Sequence, residues 1–121
     1  MSLYQKNIGK IGERLAIKYL LDNNFLIIQT NFKSKLGEID IIAEKNNKVL
    51  FIEVKTRIGL SKGFPYEAVD KKKISHMKKT AQFFLLKNNY KNYKLSLNLI
   101  SIVLNNDLTI NQMKYYENIE I

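Results

Sequence analysis

Three residues of this chain, Asp40, Glu53 and Lys55, have the types and the spacing to do chemistry together. They lie in two strand-like runs, Gly37-Glu38-Ile39-Asp40-Ile41-Ile42-Ala43 and Val49-Leu50-Phe51-Ile52-Glu53-Val54-Lys55-Thr56. The link between the runs is short, with Asn46-Asn47 at its middle, and asparagine tolerates the positive φ of a two-residue hairpin turn. A turn there sets the register: Ala43 faces Leu50, Ile42 faces Phe51, Ile41 faces Ile52 and Ile39 faces Val54. By the same register Asp40 faces Glu53, and Glu38 faces Lys55. Side chains alternate across a sheet, so Asp40, Glu53 and Lys55 are expected on one face. Two carboxylates directly opposite one another repel, and a divalent cation between them is the simplest remedy. Carboxylates suit Mg²⁺ or Mn²⁺, which take one or two protein oxygens and leave room for water and phosphate. Lys55 beside that pair could hold an attacking water or offset charge on a transferring phosphoryl group. The chemistry such a set can perform is metal-assisted hydrolysis of a phosphodiester. The bland alternative is an ordinary Glu38–Lys55 ion pair, with Asp40 and Glu53 on a wet sheet face.

Several elements must position these groups. A first helix is expected from about Asn7 to Asn23, with Asn7, Lys10, Arg14 and Lys18 on its polar arc. Glu13 falls inside the apolar arc, among Gly9, Ala16, Ile17 and Leu20, where a carboxylate must be paired, protonated or metal-linked. Phe25 to Asn31 reads as the first strand, and the two runs above are the second and third. The segment Arg57 to Pro65 reads as a glycine-containing loop. A second helix is expected from roughly Tyr66 to Lys87, with an apolar stripe of Val69, Ile74, Met77, Ala81, Phe84 and Leu85. Leu95 to Leu104 and Leu108 to Tyr116 read as two further strands joined at Asn105-Asn106-Asp107. The order is α-β-β-β-α-β-β, an α/β class with a mixed central sheet flanked by helices. Strands one to three should form an antiparallel meander. The crossover through the second helix should make strand four parallel to strand three, with a right-handed connection. Strand three is apolar on both faces before Glu53, which marks it as central.

The chain of 121 residues suits a single domain, 1–121, with one core. It has no cysteine, which excludes disulfides, thiolate zinc sites and a cysteine nucleophile, and fits a cytoplasmic location. The opening residues, Met1 to Lys6, show no apolar core of a leader peptide, and no apolar run has the length of a membrane span. A net charge of +9 favours a polyanionic partner.

The same segments resemble the YraN family of small bacterial proteins. The likeness is carried by Gly9-Lys10-Ile11-Gly12-Glu13 with Ala16 and Tyr19-Leu20, by Gly37 to Ala43, and by Phe51 to Arg57. Pro65 with Glu67-Ala68-Val69, a lysine at Lys71 or Lys72, and Glu117-Asn118 extend it over almost the whole chain. The resemblance implies a restriction-endonuclease-like fold, with Asp40, Glu53 and Lys55 as its acidic-x-Lys signature. The wider superfamily includes Holliday-junction resolvases with a glutamate on the first helix, so the resemblance also implies that Glu13 completes the metal site. One segment departs: many relatives resemble Arg-Phe-Asp at the start of the strand after the second helix, where this chain has Ser96-Leu97-Asn98.

The basic residues nearest the expected site are Lys33, Lys35, Arg57, Lys62, Lys71, Lys72 and Lys73, in loops and at a helix start. As a group they suit contacts to nucleic-acid phosphates, in DNA above all. His76, the only histidine, lies on a lysine-rich helix and reads as a surface or boundary residue. The final strand is expected at a sheet edge, open to pairing in a homodimer. The leading expectation is therefore a Mg²⁺- or Mn²⁺-dependent endonuclease. The competing one is a nucleic-acid-binding accessory protein that keeps the fold without the chemistry. Binding to an anionic membrane surface is weaker, because the core needs the apolar stripe beside the helix lysines.

Overall fold

A computed structural model describes residues 3–90 and 92–119; Met1 and Ser2 of the leader reading lie outside it. The elements are α1 (Leu3–Asp22), β1 (Leu26–Ser34), β2 (Gly37–Lys45) and β3 (Lys48–Ile58), then a 3₁₀ turn (Pro65–Ala68), α2 (Lys71–Lys87), β4 (Lys94–Leu104) and β5 (Ile110–Tyr116). The five strands form one mixed sheet in the order β1-β2-β3-β4-β5. β1, β2 and β3 are antiparallel neighbours, β3 and β4 are parallel, and β4 and β5 are antiparallel. The expected α/β class, element order and central β3 are all present, and β5 lies at an edge.

Asn46 and Asn47 take φ of 53° and 61°, which makes the β2–β3 link the tight hairpin read from the sequence. The register follows: Ile41 pairs with Ile52, Ile42 with Phe51 and Ala43 with Leu50. The three expected pairs beyond these, Asp40 with Glu53, Ile39 with Val54 and Glu38 with Lys55, are not part of the ladder. Pairing of β2 with β3 stops at Ile41 and Ile52, while β2 continues beside β1 to Gly37 and β3 continues beside β4 to Ile58. The sheet thus forks, and Asp40 stands at the fork instead of across a ladder from Glu53.

Helix α1 covers one face, where Ile8, Ala16 and Leu20 pack with Ile41, Ala43, Leu50, Ile52, Ile100 and Ile102. Helix α2 covers the other, where Met77, Ala81 and Phe84 pack with Phe32, Ile39, Ile42, Phe51 and Leu97. Phe84 anchors that side through edge-on contacts to Phe32 and Phe51, with ring centroids 5.2 and 5.8 Å apart. On the first face α1 lies very close to β3 at Gly12. A Cβ there would sit 2.8 Å from Thr56 Cβ and 3.1 Å from Thr56 Cγ2, so only glycine fits. The buried Thr56 hydroxyl has no hydrogen-bond partner among the described residues.

Four boundaries named in the sequence reading differ from expectation. α2 begins at Lys71, not Tyr66, because Asp70 takes extended backbone and its carboxylate accepts from Lys73 N at 2.9 Å, an N-cap. The Pro65–Ala68 turn before it is separate. β1 runs past Asn31 to Ser34, although Asn31 has φ of 53°. α1 starts earlier than Asn7, at Leu3, and β5 later than Leu108, which has φ of 70° and sits in the turn.

The Ser96-Leu97-Asn98 departure is accommodated by a neutral buried network. Ser96 Oγ lies 2.7 Å from Asn118 Oδ1, and Asn98 Oδ1 accepts from Asn118 N at 3.0 Å. Ile119 N donates to Leu97 O at 2.9 Å, so the segment after β5 is stitched to β4 without charged groups.

Candidate active site

The site is built where β2 and β3 part. Side chains two residues apart on a strand normally share a face, yet Ile39 packs into the α2-side core and Ile41 into the α1-side core. β2 therefore turns over at Asp40. The carboxylate takes up the donor that the missing ladder would have used, and Val54 N donates to Asp40 Oδ2 at 2.8 Å. A strand N–H lies in the sheet plane, so Asp40 points into the fork beside Glu53. The expectation that Asp40, Glu53 and Lys55 simply emerge on one face is refined accordingly. Glu53 and Lys55 share the α2-side face of β3, and Asp40 reaches them from the gap.

Glu53 is 4% exposed, and its Oε2 faces two ammonium groups: Lys73 Nζ at 2.9 Å and Lys55 Nζ at 3.9 Å. Burial, a hydrogen bond with Glu53 and the Glu53 charge push the Asp40 carboxyl up to about 8, against the lowering effect of the Val54 N–H. Asp40 and Glu53 are thus a crowded acidic pair in which burial and the Glu53 charge favour the protonated form of Asp40. Lys73 is raised: burial lowers it, but the Glu53 carboxylate, assisted by Asp40 and Glu38, outweighs that.

Glu13 approaches from α1, half-buried. Burial raises its carboxyl, the Glu53 charge adds to the rise, and a hydrogen bond from the Asn31 side chain opposes it. Glu13 feels Glu53, and Asp40 feels Glu13. Among the described residues, however, no three acidic or histidine side chains gather closely enough to cage a metal by themselves. The donor set offered to a divalent cation is the Asp40–Glu53 pair. Two hard oxygen ligands held together in a half-enclosed acidic pair fit Mg²⁺ or Mn²⁺.

The basic residues divide. Lys73, expected among the phosphate-contacting lysines, is ion-paired with Glu53 at 2.9 Å. Arg57 donates Nη1 to the carbonyls of Lys62 and Gly63, the latter at 3.2 Å, and so ties down the loop after β3. Lys71 and Lys72 are exposed on the first turn of α2, and Lys62 is exposed in the loop. Lys33 and Lys35 flank the β1–β2 turn, where with Phe32, Ser34, Leu36, Phe83 and Lys87 they line an open groove of about 490 Å³.

Two site contacts are not legible in the sequence: the pairing of Lys73 with Glu53 and the turn of Asn31 towards Glu13. Lys73 lies four residues before Met77 and eight before Ala81, so it extends the buried stripe of α2 by one turn; that phase was the available signal. Asn31 was read as a strand end, and its left-handed backbone instead turns its side chain to Glu13.

Residues 12–103 match the model of the uncharacterised protein family UPF0102. The chain belongs to the UPF0102 (YraN) family. A UPF0102 protein of Persephonella marina is 44% identical over 98 residues, covering 81% of this chain and 84% of its own. One of Caldanaerobacter subterraneus is 38% identical over 115 residues, 94% of each chain, and one of Dictyoglomus thermophilum is 41% identical over 113 residues, 93% and 96%. The UPF0102 match begins at Gly12 and so takes in Glu13 and every residue of the fork. Among the described residues no helix is long and apolar enough to cross a membrane.

Proposed function

We propose that this UPF0102 protein is a divalent-metal-dependent endonuclease acting on nucleic acid, with DNA as the expected substrate. The observation that carries the reading is the Asp40–Glu53 pair at the sheet fork, a buried acidic couple with two lysines on Glu53 Oε2. Asp40 and Glu53 are the residues that would hold the cation. Mg²⁺ or Mn²⁺ in that position supplies Lewis-acid polarisation of the phosphodiester and a more acidic bound water. The Val54 N–H keeps Asp40 aimed into the fork. Lys55, rigid on the central strand, places a positive charge where a phosphoryl group accumulates negative charge. Glu13, steadied by Asn31, adds an acceptor for a water at the rim. Lys33, Lys35, Lys62, Lys71 and Lys72 supply non-specific phosphate contacts, and Arg57 shapes the loop between them. The β5 edge is where a second copy would pair, and a two-fold dimer would suit a branched duplex.

The test is cleavage of duplex, flap, four-way junction, single-stranded DNA and RNA with Mg²⁺ or Mn²⁺, wild type beside Glu53→Gln. Wild type should cut at least one substrate, and Glu53→Gln should lose cutting while binding DNA nearly as well. Retained cleavage in Glu53→Gln would sink the assignment. One observation favours the accessory-protein reading: the Glu53 charge is already matched by Lys73. That reading expects salt-sensitive nucleic-acid binding, no metal uptake and no cutting.

A further inference from the structure

We propose that Lys73 is an exchangeable counter-ion: its ammonium and the divalent cation compete for one oxygen of Glu53, and the lysine displaced by the metal becomes a phosphate ligand. The inference rests on the nuclease reading above and assigns Lys73 a part in that site. Lys73 Nζ lies 2.9 Å from Glu53 Oε2, and Lys55 Nζ lies 3.9 Å from the same atom. Glu53 is 4% exposed, so that oxygen has little open approach. A divalent cation taken up by that carboxylate would need the oxygen that the Lys73 ammonium now occupies. An ammonium held at hydrogen-bond distance from the same oxygen would overlap its hydration shell and repel it.

One cation must yield, and the anchoring of the two lysines decides which. Lys55 stands on β3, the central strand, which is paired along its length with β4. It already lies beyond hydrogen-bond distance. Lys73 stands on the first turn of α2; its side chain, 38% exposed against 37% for Lys55, has a path outward, and it alone sits at hydrogen-bond distance from Glu53 Oε2. Its backbone is fixed, because Lys73 N donates to the Asp70 cap at 2.9 Å. The flexible four-carbon stem can therefore swing while its root stays in place. The released ammonium remains tethered beside the exposed Lys71 and Lys72, on the side from which a phosphate backbone would approach. The device also discriminates. A monovalent ion gains little by replacing a tethered ammonium of equal charge, whereas a divalent ion adds net positive charge to an acidic pair that needs it.

The experiment is calorimetric titration of Mn²⁺ into the full chain, comparing wild type, Lys73→Met and Lys72→Met, with thermal melting of each in chelator and in saturating Mn²⁺. Removing the competitor should tighten Mn²⁺ binding by about tenfold in Lys73→Met. Lys72→Met removes the same charge one residue away and should stay within about twofold of wild type. In chelator Lys73→Met should melt below wild type, and Mn²⁺ should close the gap. If Lys73→Met fails to fold, Lys73→Gln, which keeps a donor for Glu53 without the charge, carries the same expectation. Unchanged or weaker Mn²⁺ binding in a folded Lys73 variant, with wild type binding and cutting, would make Lys73 a fixed structural partner and overturn this inference alone. Equal tightening in Lys72→Met would overturn it too, by reducing the effect to general charge. A wild type that neither binds Mn²⁺ nor cuts would overturn the nuclease reading together with it.

Discussion

Replacing Asp40 by Asn should stabilise the metal-free protein at alkaline pH and leave it unchanged at acidic pH. Asparagine imitates the protonated acid: its oxygen can still accept from Val54 N, and its amide can donate to Glu53 as the Asp40 proton does. The Asp40 carboxyl is raised from 3.8 in the unfolded chain to about 8 in the folded one. For a raised group, the associated stability is fully present below 3.8 and is lost as pH climbs to about 8. That gap sets a ceiling of about 6 kcal/mol. The proton belongs to the Asp40–Glu53 pair, and Lys73 and Lys55 offset part of its charge, so about 2–3 kcal/mol is expected in practice. For a chain of this size that corresponds to a Tm difference of roughly 10 °C. Calorimetric melts in chelator from about pH 3.5 to 9 should show Asp40→Asn level with wild type at the acid end, below the unfolded value of 3.8, and increasingly above it as pH rises to 9. Saturating Mg²⁺ should reverse the order, because the wild-type pair gains a ligand that the variant binds poorly. Parallel stability curves across the pH range would refute the protonated-Asp40 description of the site.

Three further outcomes follow from the geometry. Asn31→Gly keeps the left-handed backbone and frees Glu13, so it should melt within about 1 kcal/mol of wild type while cleavage falls about tenfold; Asn31→Val should instead lose about 1–2 kcal/mol through strain at positive φ. Asp70→Ala removes the α2 cap and should lower stability by about 1 kcal/mol in urea melts. The double change Lys33→Ala with Lys35→Ala should weaken DNA binding without altering the thermal midpoint, and should flatten the dependence of log affinity on log salt by about 1–2.

The hairpin was the most legible part of the chain, because two asparagines that accept positive φ fix the register between two apolar runs. The class and strand order followed from helical and strand periodicity in the same way. What the pattern could not show is where a ladder stops. Extending the hairpin register carried Asp40 opposite Glu53, whereas the strands part there and Asp40 fills the gap with its own side chain. The break falls where β2 turns over at Asp40, and no local rule joins residue 40 to the Val54 N–H that its side chain takes up. Lys73 was hidden for a different reason. In a run of three lysines each has the same prior for solvent, and only the phase of Met77, Ala81 and Phe84 separates the third from the others.

The contact between Gly12 and Thr56 bears on how this protein can drift over generations. Position 12 precedes Glu13, and position 56 follows Lys55, so the clearance between helix and strand works as a gauge that spaces an acid from a base. A methyl group at 12 would meet Thr56 Cβ at 2.8 Å, which trimming threonine to alanine would not relieve. Only glycine at 56 makes room. The two positions are therefore open to an exchange of partners and closed to single steps, and descendants that keep the chemistry should change them together or leave both alone.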